Sequence, residues 1–160
     1  MHKITIVKKQ VLYVVTFSLF GCNSVERVDD LQIGKKLPSD IRVINDSNIH
    51  IFKGASNGRP GKEIECNGIK YLVIESKDST VDFLRTFDTS FRTPENAKVG
   101  SSYDLIKNRK MSEFYESGYG YGVKLNSGWT ALFMDKYILE NETIADTCRI
   151  KSFFMESAGQ

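Results

Sequence analysis

The sequence has few of the residues that build metal and acid–base sites. Its 160 residues include two histidines, and one of them, His2, belongs to the N-terminal segment. The other, His50, lies between apolar residues, a pattern typical of a solvent-facing position in a strand. Zinc sites need three or four ligands at close spacing, and neither Cys-x-x-Cys nor His-x-x-x-His occurs. We therefore predict neither a metal nor another cofactor.

Signature sequences for nucleotide binding are also missing. There is no phosphate loop and no dinucleotide-binding fingerprint. The glycine-rich run from Gly118 to Gly122 lacks the preceding strand and following helix of a nucleotide site, and it predicts a flexible start to a strand. Six carboxylates could in principle serve a hydrolase, but none has a sequence context that raises its pKa: Glu63, Glu65, Asp78, Asp82, Glu113 and Glu116. We predict that the chain is not an enzyme. A small envelope hydrolase that uses a carboxylate and a small-ligand-binding protein are the alternatives.

Long hydrophobic runs are absent as well. The apolar run from Val11 to Phe20 follows three lysines, and it is far shorter than the ~20 residues that a membrane-spanning helix needs. A charged segment followed by a short apolar one is typical of a secretory signal. The next residues, Leu19-Phe20-Gly21-Cys22, resemble the lipobox of bacterial lipoproteins. The resemblance implies that residues 1–21 are removed and that Cys22 is lipidated. An ordinary secreted protein is the alternative.

The lipoprotein resemblance also implies a location. Asn23 at the second mature position is compatible with transfer to the outer membrane, where Asp would favour retention in the inner membrane. Acyl chains such as palmitate on Cys22 would anchor the chain without a spanning segment. We therefore expect a protein of the cell envelope that faces the periplasm. Residues 22–32 are mostly polar and form the predicted tether.

Charge gives little support for a nucleic-acid partner. The chain has 22 basic and 20 acidic residues, but three of the lysines belong to the predicted signal, so the mature chain carries one more acid than base. Nucleic-acid-binding proteins usually show a basic stripe, and none is visible. The expected partners are the membrane, through the lipid, and a protein of the envelope or an incoming effector.

Cysteine content agrees with export. With Cys22 lipidated, Cys66 and Cys148 remain, and an even pair in an oxidising compartment predicts a disulfide. Closing a loop of that length would stabilise the fold by ~4 kcal/mol in the chain-entropy model. Two independent buried thiols are the alternative.

Turn signals predict an antiparallel sheet. Asn67-Gly68 tolerates the positive φ angles of a type I′ turn, so the strands around it should pair as a hairpin. Asn126-Ser127-Gly128 marks a second hairpin. The predicted strands cover residues 49–53, 62–66, 69–75, 80–87, 119–125, 129–134 and 147–155, with a loop over residues 54–61. Phe91 to Pro94 should connect the two halves.

The two halves look like a tandem repeat. Ile33-Gly34 aligns with Val99-Gly100, and residues 81–87 align with 147–153 at the same offset of 66 residues. The predicted units are 33–87 and 99–155, each a helical turn followed by a three-stranded meander, with coincidence as the alternative. This order resembles the β-lactamase inhibitor protein and the small lipoprotein of the outer-membrane barrel-assembly machinery. The resemblance implies one α+β domain over residues 33–160, an antiparallel sheet with short helices.

These observations predict a lipid-anchored, non-catalytic protein-binding module. Tyr119 and Tyr121 are candidate partner contacts because tyrosine rings offer rigid, amphipathic contact area. Trp129 is a third candidate, although its apolar strand context favours burial in the core. The module could act as an inhibitor or immunity protein or as an envelope-assembly factor, and the sequence favours neither.

Overall fold

A computed structural model describes residues 31–49 and 58–157 of the chain. The predicted signal, Cys22, most of the tether and His50 lie outside these residues. The described strands are β1 (Arg42–Ile49), β2 (Arg59–Cys66), β3 (Ile69–Glu75), β4 (Val81–Thr86), β5 (Lys110–Glu116), β6 (Gly120–Leu125), β7 (Thr130–Phe133) and β8 (Ile150–Glu156). The helices are α1 (Tyr103–Ile106), continued by a 3-10 turn over Lys107–Arg109, and α2 (Lys136–Asn141).

All eight strands belong to one antiparallel sheet in the order β1-β2-β3-β4-β8-β7-β6-β5. Strands account for 48% of the structure and helices for 11%. The expectation of an α+β fold is therefore wrong, and the protein is mostly β. The helical segments are short: α1 has four residues and α2 has six.

The two hairpins form where the turn residues predict them. Asn67 and Gly68 have φ angles of 53° and 75°, as a type I′ turn requires, and they join β2 to β3. Between β6 and β7, Gly128 has a φ of 89°, and its N–H donates to the carbonyl of Leu125 at 3.0 Å. Local backbone preference thus sets both turns.

The first described strand precedes the strand predicted over residues 49–53, of which residues 50–53 lie outside the described residues. β1 ends at Ile49, the residue at which the predicted strand begins. The predicted loop over 54–61 ends inside β2, which contains Pro60 and Gly61. Gly61 does not mark a loop. Glycine allows close packing at this position, because a Cβ there would lie 2.4 Å from Cδ1 of Ile49.

Equivalent backbone hydrogen bonds lie near the N-terminal end of each half of the sheet. The Gly34 N–H donates to the Val81 carbonyl, and the Gly100 N–H donates to the Ile150 carbonyl, both at 2.8 Å. Both glycines have positive φ angles, 79° and 88°. Val81 thus corresponds to Ile150, not to Thr147, so the offset between these strands is 69 residues rather than 66.

Each half is a four-stranded meander, which corrects the three strands predicted for each unit. The halves meet where β4 pairs with β8, and Arg85 lies opposite Phe154. These two residues are themselves 69 positions apart, so the approximate twofold axis that relates the halves passes between them. Arg85 is therefore at the centre of the sheet.

The main core covers one face of the sheet, which we call the core face. The segment between β4 and α1 supplies Phe91, which is fully buried there. Its ring centroid lies 4.6 Å from that of Trp129 and 5.4 Å from that of Phe153. The predicted inter-unit connection is therefore part of the core. A smaller cluster on the opposite face contains Ile49, Ile74, Phe83, Leu132 and Phe154.

Candidate functional site

The predicted partner contacts do not form one surface. Trp129 is 2% exposed and packs in the core, so its expected burial is confirmed and its place among partner contacts is wrong. Its position after the β6–β7 turn directs the ring onto Phe91. Tyr119 lies in the β5–β6 turn and packs against the cluster on the opposite face. Tyr121 lies on the core face, so the two tyrosines are on different sides of the sheet.

The glycines beside these tyrosines allow close packing. A Cβ on Gly120 would lie 2.2 Å from the carbonyl oxygen of Phe133. A Cβ on Gly122 would lie 2.4 Å from Cζ of Phe114, because that ring covers the glycine from β5. Gly118 has a φ of 80° in the turn itself. The glycine-rich run is therefore a tight turn followed by a closely packed strand.

Tyr121 belongs to a polar cluster with Tyr103, Lys110 and Glu113. The Tyr103 hydroxyl donates to Oε2 of Glu113 at 2.9 Å, and Lys110 Nζ lies 3.1 Å from that hydroxyl oxygen. Lys110 also forms an ion pair with Glu113. The Tyr121 hydroxyl is a further hydrogen-bond partner of the same carboxylate. Three elements, α1, β5 and β6, thus meet at one carboxylate.

A bulge in β5 brings Lys110 and Glu113 to the same face. Residues three apart in a regular strand point to opposite faces. The register shifts between Lys110 and Ser112, so Met111 is the extra residue, and Lys110 and Glu113 face Leu125 and Val123 on the core face. The bulge leaves Met111 63% exposed.

The pKa shifts in this cluster fix its charges near neutral pH. The hydrogen bond from Lys110 lowers the pKa of Glu113, helped by Tyr103 and Tyr121 and opposed by partial burial. Hydrogen bonds to Glu113 and Tyr103 raise the pKa of Lys110. Burial, with the Glu113 carboxylate nearby, raises the pKa of Tyr121 to about 12. Near neutral pH Glu113 therefore stays ionised, whereas Lys110 and Tyr121 keep their protons, and such fixed protonation states suit recognition better than proton transfer.

The strand that carries this cluster is an edge of the sheet. β5 is the last strand in the order, so its outer backbone groups have no strand neighbour among the described residues. Half-buried Tyr115 lies directly opposite Tyr121, which widens the aromatic area. We call six residues of this region the β5 surface: Tyr103, Lys110, Met111, Glu113, Tyr115 and Tyr121. The sequence pointed to Glu113 and Tyr121 separately but not to Lys110, which a bulge without a clear sequence signal brings to the same face as Glu113.

The other candidate carboxylates are dispersed. Asp82 is buried and pairs with Arg59, with Nη2 to Oδ2 at 2.9 Å. Glu65 pairs with Arg42 at 3.2 Å. Hydrogen bonds from Ser76 and then Thr80 lower the pKa of Asp78. Glu63 and Glu116 lie in β2 and β5. Over residues 31–49 and 58–157, no group of three or more His, Cys, Asp or Glu side chains has a geometry suited to a metal ion.

A Gly-x-Ser-x-Gly pattern does occur from Gly54 to Gly58, although its serine, Ser56, lies outside the described residues. In hydrolases this pattern joins a strand to a helix. Here the pattern precedes β2, which pairs antiparallel with β1. The spacing therefore lacks the context of a nucleophile elbow.

A shallow cleft of about 600 Å³ lies over β1–β3. Its lining is mainly polar: Asp46, Ser47, Asn48, Pro60, Gly61, Lys62 and Glu75. Lys62 and Glu75 form an ion pair with each other, so their charges are already compensated. Small-molecule sites usually have largely apolar walls. The cleft therefore gives little support for a ligand-binding role.

The disulfide predicted between Cys66 and Cys148 is not present in the structure. Cys66 ends β2, and Cys148 lies just before β8. β3 and β4 separate these strands, and three steps of ~4.8 Å give a path of roughly 14 Å across the sheet. Disulfide bonds usually need Cα atoms within ~7 Å.

The described part of the chain is a mostly-β domain, built on an open eight-stranded antiparallel sheet. Among solved structures, the chain is similar to the crystal structure of the uncharacterized protein YfeY from Escherichia coli, with a TM-score of 0.50 and 9% sequence identity. The match covers 80% of this chain and 97% of that one. At this identity the likeness shows the fold alone. No family model and no curated protein matches the sequence.

Within the described part of the chain, neither helix is long and apolar enough to cross a membrane.

Proposed function

We propose that this chain is a lipid-anchored lipoprotein of the bacterial envelope whose β domain binds a protein partner without catalysing a reaction. The anchor is supported by the sequence alone, through the short apolar run and the lipobox-like residues that end at Cys22. The acyl chains would hold the domain at the outer membrane, facing the periplasm.

The observation that carries the binding role is the β5 surface. It combines an exposed methionine, two half-buried tyrosines and a Lys110–Glu113 ion pair on an edge strand. Tyrosine and methionine are enriched in protein–protein interfaces, and charged pairs near the rim set orientation. A partner that covers Met111 and Tyr115 would bury apolar area without having to change the protonation of the cluster.

Capture of bound proteins from the native envelope tests this proposal. The full chain would be used as bait in three forms: wild type, Met111→Glu and Val43→Glu. Val43 is a matched control because it is 49% exposed on the other edge strand, β1. We expect one stoichiometric partner with the wild type, at least about tenfold less with Met111→Glu, and a yield within about twofold of wild type with Val43→Glu.

The identity of the captured protein distinguishes the two forms of the proposal. A secreted toxin or hydrolase would indicate an inhibitor or immunity protein, and a resident envelope protein would indicate an assembly factor. Capture of no partner by the wild type would contradict the binding role. Equal loss of the partner in both variants would contradict its placement on the β5 surface.

The anchor has a separate test. Cells that express the full chain would be labelled with radioactive palmitate, and the Cys22→Ala variant would be the control. The proposal predicts label on the wild type and none on the variant. Unlabelled wild-type protein, or equal label on both, would contradict lipidation at Cys22.

A further inference from the structure

Arg85 occupies an unusual position for a cation. It lies in β4 at the centre of the sheet, directly opposite Leu72 on β3 and Phe154 on β8. These pairings place it on the opposite face, among the apolar residues of the smaller cluster. An arginine among such neighbours normally has an acidic partner, because a half-buried charge is costly to leave uncompensated.

No acid of residues 31–49 or 58–157 fills that role. The described residues form seven ion pairs, and Arg85 takes part in none of them. The buried acid of the same strand, Asp82, is already bonded to Arg59 and Ser157. Burial lowers the pKa of Arg85 to about 10, which agrees with the lack of a nearby carboxylate.

Two contacts fix the guanidinium. Its Nε donates to the hydroxyl of the fully buried Ser152 at 3.1 Å. Its Cζ lies 4.5 Å from the ring centroid of Phe87, which is 50% exposed. Within the described part of the chain, the only hydrogen bond of the Arg85 guanidinium is the one from Nε, and neither Nη forms one. Every fully buried side-chain nitrogen there does have a hydrogen-bond partner. The Nη groups therefore reach the surface.

We propose that Arg85, positioned by Ser152 and Phe87, receives an aspartate or glutamate side chain of a protein partner. The Nη groups form a planar fork of donors, which matches the two oxygens of a carboxylate. Exposed Phe87 and half-buried Leu72 supply apolar contact area beside the charge, a combination typical of interface hot spots. This contact is separate from the β5 surface, since β8, β7 and β6 lie between β4 and β5.

The inference rests on the proposed function in one respect, that the carboxylate belongs to a protein partner. Recognition of a carboxylate by Arg85 is therefore tested first, with a small molecule. The purified full chain in detergent, labelled with ¹⁵N, would be titrated with N-acetyl-glutamate methylamide and with its glutamine twin. The Nε–H resonance of Arg85, identified by its loss in Arg85→Gln, is the readout. We expect a saturable shift in the millimolar range with glutamate and none with glutamine.

Each other result of the titration overturns the proposal. No shift, or equal shifts with both compounds, would show that Arg85 does not recognise a carboxylate. A third titration, with inorganic phosphate, tests the alternative anion. Binding of phosphate more than about tenfold tighter than glutamate would reassign the site to a phosphate ligand.

Capture from the envelope then tests the source of the carboxylate. We expect Arg85→Gln to lower the partner yield at least about tenfold, and the matched control Arg92→Gln, at an exposed arginine, to leave it within about twofold. Arg85→Lys keeps the charge but not the fork, so it should fold and give an intermediate yield even if Arg85→Gln is unstable. A full yield from both Arg85 variants would overturn the partner assignment. No partner for the wild type would instead count against the proposed function, and the glutamate titration would still decide the Arg85 site.

Discussion

Replacement of Phe91 by alanine tests whether the segment between the two halves is part of the core. Phe91 is fully buried, and its ring contacts Tyr71, Trp129 and Phe153, which come from three different strands or turns. Truncation of such a ring removes its transfer free energy and leaves a cavity that a sheet can close only in part. We expect a loss of about 3–5 kcal/mol in the free energy of unfolding.

For a domain of this size, that loss corresponds to a fall in Tm of roughly 12–20 °C. Thermal unfolding followed by circular dichroism measures it. Phe87→Ala is the matched control, because the same substitution at a half-exposed ring should cost about 1 kcal/mol or less. If Phe91→Ala lowered Tm no more than Phe87→Ala, the segment would be a surface spacer and the described packing would be wrong.

Three further outcomes follow from the structure. Gly122→Ala should destabilise the domain by about 1–3 kcal/mol in urea unfolding, since its Cβ would meet the Phe114 ring, and Phe114→Leu should recover part of that loss if the clash is the cause. The folded state lowers the pKa of Glu113, so its charge adds stability above the unfolded pKa near 4.5 and loses that effect as pH falls through the folded pKa. Glu113→Gln should therefore be destabilising at pH 7 and nearly neutral at low pH in the same assay; an equal cost at both pH values would count against the Lys110 contact. Unfolded, non-reduced Cys22→Ala protein should show two reactive thiols, Cys66 and Cys148, whereas a disulfide would leave none.

The sequence predicted the turns because their signals are local. Asn67 and Gly68 adopt positive φ angles, which Asn and Gly tolerate at low steric cost, and Gly128 does the same in the second hairpin. The match between Gly34 and Gly100 was visible for the same reason. The matching strands were misaligned by three residues, because their register depends on pairing across the sheet rather than on local preference.

The fold class could not be read from local patterns. Arg42 to Ile49 contains mixed polar and apolar residues, and it becomes a strand only because β2 pairs with it. The helical segments were expected to be short, and they are, with four residues in α1 and six in α2. The α+β prediction was wrong because the strands pair into one eight-stranded sheet, and this pairing joins residues that are far apart in the sequence.

The candidate sites depended on the same non-local information. Lys110 and Glu113 meet only through a bulge, and Tyr119 and Tyr121 lie on different faces because Tyr119 belongs to the turn and Tyr121 to β6. Arg85 is visible in the sequence as a charge within a strand, but its lack of an acidic partner among the described residues is a property of the folded sheet. The lipobox resemblance that ends at Cys22 rests on linear sequence and stays a prediction, because those residues lie outside the described part of the chain.

Site-specific photo-crosslinking in living cells tests the central claim, that the β5 surface contacts a partner protein. A photoreactive amino acid would replace Met111 in one strain and Val43 in another, with the rest of the full chain unchanged. The account predicts one discrete protein adduct from position 111 and none from position 43. No adduct at position 111, or the same adduct from both positions, would contradict it.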